Sequence, residues 1–181
     1  MSLMIEQREA ARSTEAKWHP RLLEADLYWQ TKCAGREMPR RSDIDPTEIR
    51  GLLPHILLMD IDPSGRPKHR LIGTEIERRI GVRAIGCYLD EVLPEKYAQY
   101  MRGLYDKVIQ TRRPLFSSSL YGASNSPLTP DFYLMRTARY MAPLSSDGTT
   151  IDIVFACQVF EMSPTSTSAA QADPELYFAG N

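Results

Sequence analysis

Apolar positions along the chain follow two periods, and the switch between them outlines the fold. From Glu95 to Gln110 apolar side chains recur every three or four residues, through Tyr97, Tyr100 and Met101, Leu104 and Tyr105, to Val108. That is the stripe of an amphipathic helix with one buried face. Lys96, Gln99, Arg102, Asp106 and Lys107 lie largely off the stripe, and Pro114 marks its end. From Ile151 to Phe160 the period is two. Ile151, Ile153, Phe155, Cys157 and Val159 share one face of a strand.

The same reading extends upstream. Ile56–Ile61 and Lys68–Thr74 are strand-like and flank Asp62-Pro63-Ser64-Gly65, a strong turn signal, so they form a hairpin. Glu75–Ile80 is a short helical piece closed by Gly81, and Tyr88–Leu93 is another, stopped by Pro94. Leu115–Tyr121 and Phe132–Leu144 are two further strands, the second long enough to bend. A loop with two prolines joins them between Ser124 and Pro130. Ser145-Ser146-Asp147-Gly148 turns the chain into the last strand.

Near the N-terminus, Glu6–Lys17 is rich in helix formers and holds no Gly or Pro. Leu22, Leu23, Leu27 and Tyr28 then recur at helical spacing until Cys33-Ala34-Gly35. Pro20 makes this two helices or one kinked helix. Asp45-Pro46-Thr47-Glu48 reads as a cap with Pro at the first helical position, opening a short helix that ends near Gly51–Pro54. Ser163–Asp173 is Ser/Thr/Ala-rich and reads as disordered. Strands in runs with helices between them predict an α+β fold on an antiparallel sheet. The first two strands must join the last three across the helical insert.

Composition narrows the function. The chain has 181 residues, 43% hydrophobic and 25% charged, with net charge −1. It suits one globular domain with extensions and offers no field for nucleic acid. Pro39-Arg40-Arg41 and Arg112-Arg113 are too short for a nucleic-acid footprint. No apolar run approaches the length of a membrane span. The three cysteines, Cys33, Cys87 and Cys157, are widely spaced with no CxxC, which argues against a disulfide framework or zinc site and fits the cytoplasm.

The segments Leu53-Pro54-His55, Leu58-Met59-Asp60-Ile61 and His69-Arg70-Leu71-Ile72-Gly73-Thr74-Glu75-Ile76 carry a resemblance. So does Pro39-Arg40-Arg41-Ser42-Asp43-Ile44-Asp45-Pro46, a P-x-R-x-D-I-D-P stretch. Together they resemble the opening of an alphaproteobacterial PAS-like family. Gly81 and Gly86, with Leu89 and Glu91, sit where PAS domains place a G-x-x-x-x-x-G-x-x-l-x-e signature, and Tyr140–Leu144 resembles the penultimate strand. The resemblance covers roughly Arg36–Glu161. It implies a five-stranded antiparallel sheet with short helices and one long helix on one face. A pocket often lies between them, and N-terminal helices cover the other face or a partner's. The organisation expected is a helical extension over 4–35, the PAS-like domain over 36–161 and a tail over 162–181.

Each specific chemistry has a plain structural alternative. A haem-binding PAS domain usually supplies an axial histidine from the long helix or its vicinity, and His19, His55 and His69 all lie upstream of it. Cys87 follows Gly86 directly and lacks the Asn, Arg and Gln of a flavin photosensor segment. Asp43, Asp45, Asp60 and Asp62 lack the glycine and terminal glutamate of a calcium loop, so they read as caps and turns. Ser117-Ser118-Ser119 lies on a strand with no nucleophile elbow, and no histidine follows it. No cofactor, metal or catalytic set is therefore expected, and an enzyme is the weakest reading.

A pocket could be lined by Tyr97, Tyr100, Met101 and Tyr105 from the long helix, with Tyr121, Tyr133 and Phe155 from the strands. Plain core packing explains the same spacing. Arg136 could bind a ligand carboxylate, and Arg70 has the same ambiguity. Arg136 and Arg139 differ by three, so they face opposite ways unless a bulge intervenes. The alternative for each is a surface arginine or an ion pair. The expectation is a stand-alone sensor that takes a small organic ligand between the long helix and the sheet. It would dimerise through its N-terminal helices and signal to a downstream protein by contact. The alternative is an interaction module with a filled core.

Overall fold

Pro20 opens a helix, with extended backbone at His19 before it, rather than kinking one. The computed structural model describes residues 18–80, 83–124 and 132–162, leaving aside the side chains of 80, 120–124, 132–135 and 162. Helix α1 spans Pro20–Cys33, with Pro20 at its first position and His19 as its cap, Nδ1 accepting from the Arg21 amide at 3.2 Å. It stops where Ala34 and then Gly35 adopt positive φ, 48° and 82°. The helix expected over Glu6–Lys17, the loop between Ser124 and Pro130 over all but its first residue, and the tail beyond Met162 lie outside the described residues.

The helix expected after Asp45 is corrected to a run of turns. Asp45 does cap, its Oδ1 accepting from the Thr47 amide and hydroxyl at 2.8 Å each. Most bonds that follow close over three residues, as from Ile49 N to Pro46 O and from Leu52 N to Ile49 O, with a single four-residue closure from Leu53 N to Ile49 O. Gly51 and Pro54 cut the segment short, and the buried Ile49 and Leu52 anchor it to the core as turns. Single 3-10 turns occupy Arg41–Asp43 and Leu53–His55.

Strand β1 (Ile56–Ile61) and β2 (Pro67–Ile72) form the hairpin. Three helices follow: α2 (Thr74–Ile80), α3 (Leu89–Val92) and α4 (Glu95–Thr111). Strands β3 (Leu115–Ser124), β4 (Phe132–Leu144) and β5 (Ile153–Met162) complete one antiparallel sheet in the order β2-β1-β5-β4-β3. The last strand thus sits at the centre, between β1 and β4.

Both faces of the sheet are covered. On one, Leu58, Tyr140, Ala142, Ile153, Phe155 and Cys157 pack with Leu22, Ala25 and Trp29 of α1. On the other, Met59, Ile72, Met141, Val154 and Ala156 pack with Ile76, Leu89, Tyr97, Met101, Tyr105 and Val108 of the short helices and α4. Residues 138–144 of β4 and 153–157 of β5 are therefore buried at every position. Trp29 fixes α1 to the sheet, its Nε1 donating to the Pro143 carbonyl at 2.9 Å.

Candidate functional site

A cavity of about 130 Å³ lies between α4 and the sheet. Tyr97, Met101 and Tyr105 form its helical wall, one turn apart along the buried stripe of α4. Leu57, His69, Thr137, Gln158 and Phe160 form the sheet wall, while Ile76, Arg79, Leu89, Val92, Leu93 and Pro94 close it from the short helices. Arg79 is exposed, and its guanidinium lies 5.8 Å from the Phe160 ring centre.

The expected site residues separate by face. Tyr97, Met101 and Tyr105 line the cavity. Tyr100 is half-buried outside the lining, stacked on Tyr97 at 6.1 Å. Phe155 is corrected to the opposite face, against Tyr28 and Tyr140 on the α1 side. The two-residue period of β5 puts Gln158 and Phe160 in the cavity and turns Phe155, Cys157 and Val159 away. Arg70 is corrected to an exposed ion pair with Asp60 at 3.1 Å, beside the register shift between Leu58 and Met59. The side chains of Tyr121 and Tyr133 lie outside the described residues.

The arginines resolve the same way. β4 pairs with β5 without a break from Met135 to Leu144. Arg136 therefore shares the face of Ala138 and Tyr140, away from the cavity, and is exposed. Arg139 takes the α4 side, behind the cavity lining rather than in it, and is 1% exposed. Its Nη2 donates to the Tyr97 hydroxyl and its Nη1 to Ser119 Oγ at 3.0 Å.

His69, Thr137 and Gln158 are cavity residues that sequence reasoning missed. The signal for His69 was alternation on β2, where Pro67 and His69 are buried between partly exposed neighbours. Its Nδ1 lies 3.0 Å from the Cys87 carbonyl, so Nδ1 carries the proton and Nε2 is the free acceptor of the neutral ring. Burial pushes its pKa below the ordinary 6.5, against the opposing pull of the Cys87 carbonyl. Above pH about 6.5 the folded and unfolded rings are both neutral, and this histidine costs the fold nothing. Below it the unfolded chain takes up a proton that the fold resists, and stability falls until the depressed folded pKa is passed. His55 is depressed in the same direction, mainly by burial. Stability by urea denaturation should therefore drop as pH is lowered from about 7.5 to about 5.5. The slope should be shallower in His69→Gln, and equal slopes would assign the effect elsewhere.

Thiol chemistry has little support here. Burial pushes the Cys33 thiol up and the Cys157 thiol up to about 12, which disfavours the reactive thiolate. Among the described residues, no group of three His, Cys, Asp or Glu side chains could hold a metal, and no helix is long and apolar enough to cross a membrane.

Solved structures similar to this chain include the PAS domain of BvgS from Bordetella pertussis, at 13% identity over 65% of this chain and 87% of that one, with a TM-score of 0.47. The LOV protein of Rhodobacter sphaeroides is similar at 11% identity over 71% and 75%, with a TM-score of 0.44. A search of curated proteins finds no match. The sequence model of the PAS domain family spans residues 17–156, taking in α1 as well as the first four strands, and the chain belongs to that family.

Proposed function

We propose that this PAS domain is a sensor that holds a small organic ligand in the cavity between α4 and the sheet and passes the signal on by protein contact. The observation that carries this reading is the cavity itself, about 130 Å³ between α4 and the sheet. A dry cavity of about 150 Å³ takes benzene, so a ligand of that order fits. Strand β5 supplies a route outward. Gln158 and Phe160 touch the cavity, while the alternate residues Cys157 and Val159 pack in the α1-side core. Cys157 Sγ also lies 3.7 Å from the Arg21 carbonyl of α1. A ligand that favours one position of β5 therefore biases α1 as well.

Mass spectrometry of the purified protein, native and then denatured, tests the reading. Release of a stoichiometric small molecule is the expected result. No released species, together with no change in melting temperature across a panel of benzene-sized compounds, would favour an interaction module with a filled core.

For the output, α1 offers a surface to a second copy. Leu27 is 63% exposed, on the face of the helix turned away from the buried Leu22, Ala25 and Trp29. Deleting α1 would uncover the chain's own core, so a point change is the cleaner probe. Leu27→Glu should convert a dimer to a monomer by light scattering, and an unchanged mass would remove α1 from the dimer contact.

A further inference from the structure

The sheet surface under α4 is polar where apolar packing is the norm. Ser117 pairs across from Arg139, and Ser119 across from Thr137, so the four side chains form one patch. None is more than 3% exposed. Arg139 at its centre is bound only to neutral oxygens: Ser119 Oγ, the Tyr97 hydroxyl and, at the 3.5 Å limit, the Thr137 carbonyl. Its Nε has no hydrogen-bond partner. No carboxylate pairs with it among the described residues.

Two hydroxyls on the same face are also orphaned. Tyr105 lines the cavity and is fully buried, and its hydroxyl has no partner; the Ser117 hydroxyl has none either. Burial pushes the Tyr105 phenol far above its ordinary pKa, so it stays a proton donor. A buried cation held only by neutral groups is an expensive arrangement, and each orphaned hydroxyl adds to it. Arg139 and Ser117 lie behind the cavity lining, and Tyr97, which lines the cavity and accepts from Arg139, connects the cation to it.

We propose that the cavity takes a small carboxylic acid whose carboxylate passes the Tyr97 hydroxyl to dock on Arg139 behind it, with the Tyr105 hydroxyl as a further donor. This rests on the reading of the cavity as a ligand site. A planar carboxylate matches the guanidinium fork, Arg139 is the one Arg or Lys buried among the described residues, and Arg79 adds a second positive charge at the exposed end of the lining. The apolar remainder lies against Met101, Leu93 and Phe160. By the benzene comparison the cavity suits an acid of about six heavy atoms.

Calorimetric titration and thermal melts of the full chain with butyrate and isobutyrate, set against butyramide, isobutyramide and chloride, test the assignment. The acids should bind and raise the melting temperature, and the amides and chloride should do neither. Arg139→Gln should weaken acid binding about 100-fold. Tyr105→Phe keeps the packing and provides a variant that folds. It should weaken binding about 10-fold while raising the melting temperature of the unliganded protein, because it removes an orphaned hydroxyl. The proposal is overturned by amides that bind as well as acids, by an equal response to chloride, by acids without effect, or by acid affinity unchanged in Tyr105→Phe. A neutral molecule released in mass spectrometry would leave the cavity reading standing and remove the carboxylate.

Discussion

Gly73→Ala should abolish the native fold or cost about 3 kcal/mol or more, at the upper end of overpacking effects. A Cβ at this position would lie 2.3 Å from the Pro54 carbonyl oxygen and 2.4 Å from that of Leu53. Both are backbone atoms, so no rotamer change relieves the clash. Nor can Gly73 retreat. Its amide donates to the Ile56 carbonyl at 2.7 Å, and its own carbonyl accepts from Ile76 and Glu77 at 3.0 and 2.9 Å. The residue joins the end of β2 to the start of α2 while pressed against the turn that feeds β1. Gly103, where an added methyl group would meet nothing within 4 Å, is the matched control. Gly103→Ala should stabilise α4 by up to about 1 kcal/mol, since alanine is the better helix former. Urea denaturation of both variants is the measurement. Similar stabilities for the two would mean that the close approach at Gly73 does not exist in solution.

Trp29→Ala should cost about 3–5 kcal/mol, the range for removing a large aromatic from a core. Trp29 is 5% exposed and belongs to the cluster that covers the α1 face of the sheet. Its loss also strips the Pro143 carbonyl of its indole donor. Trp29→Phe should fall between the two, keeping most of the apolar contact and losing the hydrogen bond. The experiment bears on what α1 is for. A helix that served only to join two copies would lose dimer mass in Trp29→Ala and leave the monomer's stability unchanged. A helix that belongs to the core loses stability directly.

Much of the fold was legible because period and burial agree. The stripe from Tyr97 to Val108 predicted a helix over Glu95–Gln110, and α4 spans Glu95–Thr111. The alternation from Ile151 to Val159 put five residues on one face, and all five lie in the α1-side core. Strand β4 was legible as an element and not as a surface. With both of its faces covered, residues 138–144 are all buried and show no alternation to say which side is which. Only the unbroken pairing with β5 assigns Arg139 inward and Arg136 outward.

The site was harder to see for a related reason. A buried arginine with hydroxyl partners leaves no mark in composition, because the serines it binds lie on another strand and read as ordinary strand residues. Ser117 and Ser119 meet Arg139 only through the register of β3 against β4. The turns at Asp45–Leu52 failed differently. Their local signals favour a helix start, and the demand that Ile49 and Leu52 reach the core prevails.

The central place of β5 has a consequence during synthesis. Ribosomes deliver β1 and β2, then β3 and β4, and only afterwards the strand that both hairpins need. Until Ile153–Met162 emerges, the inner edges of β1 and β4 are unpaired, and the apolar residues on both sides of the sheet lack their middle row. Open strand edges of this kind pair readily with other chains. A nascent chain stalled before Ile153 is therefore a natural client for chaperones, and completing this domain is a late, all-at-once event rather than a gradual one.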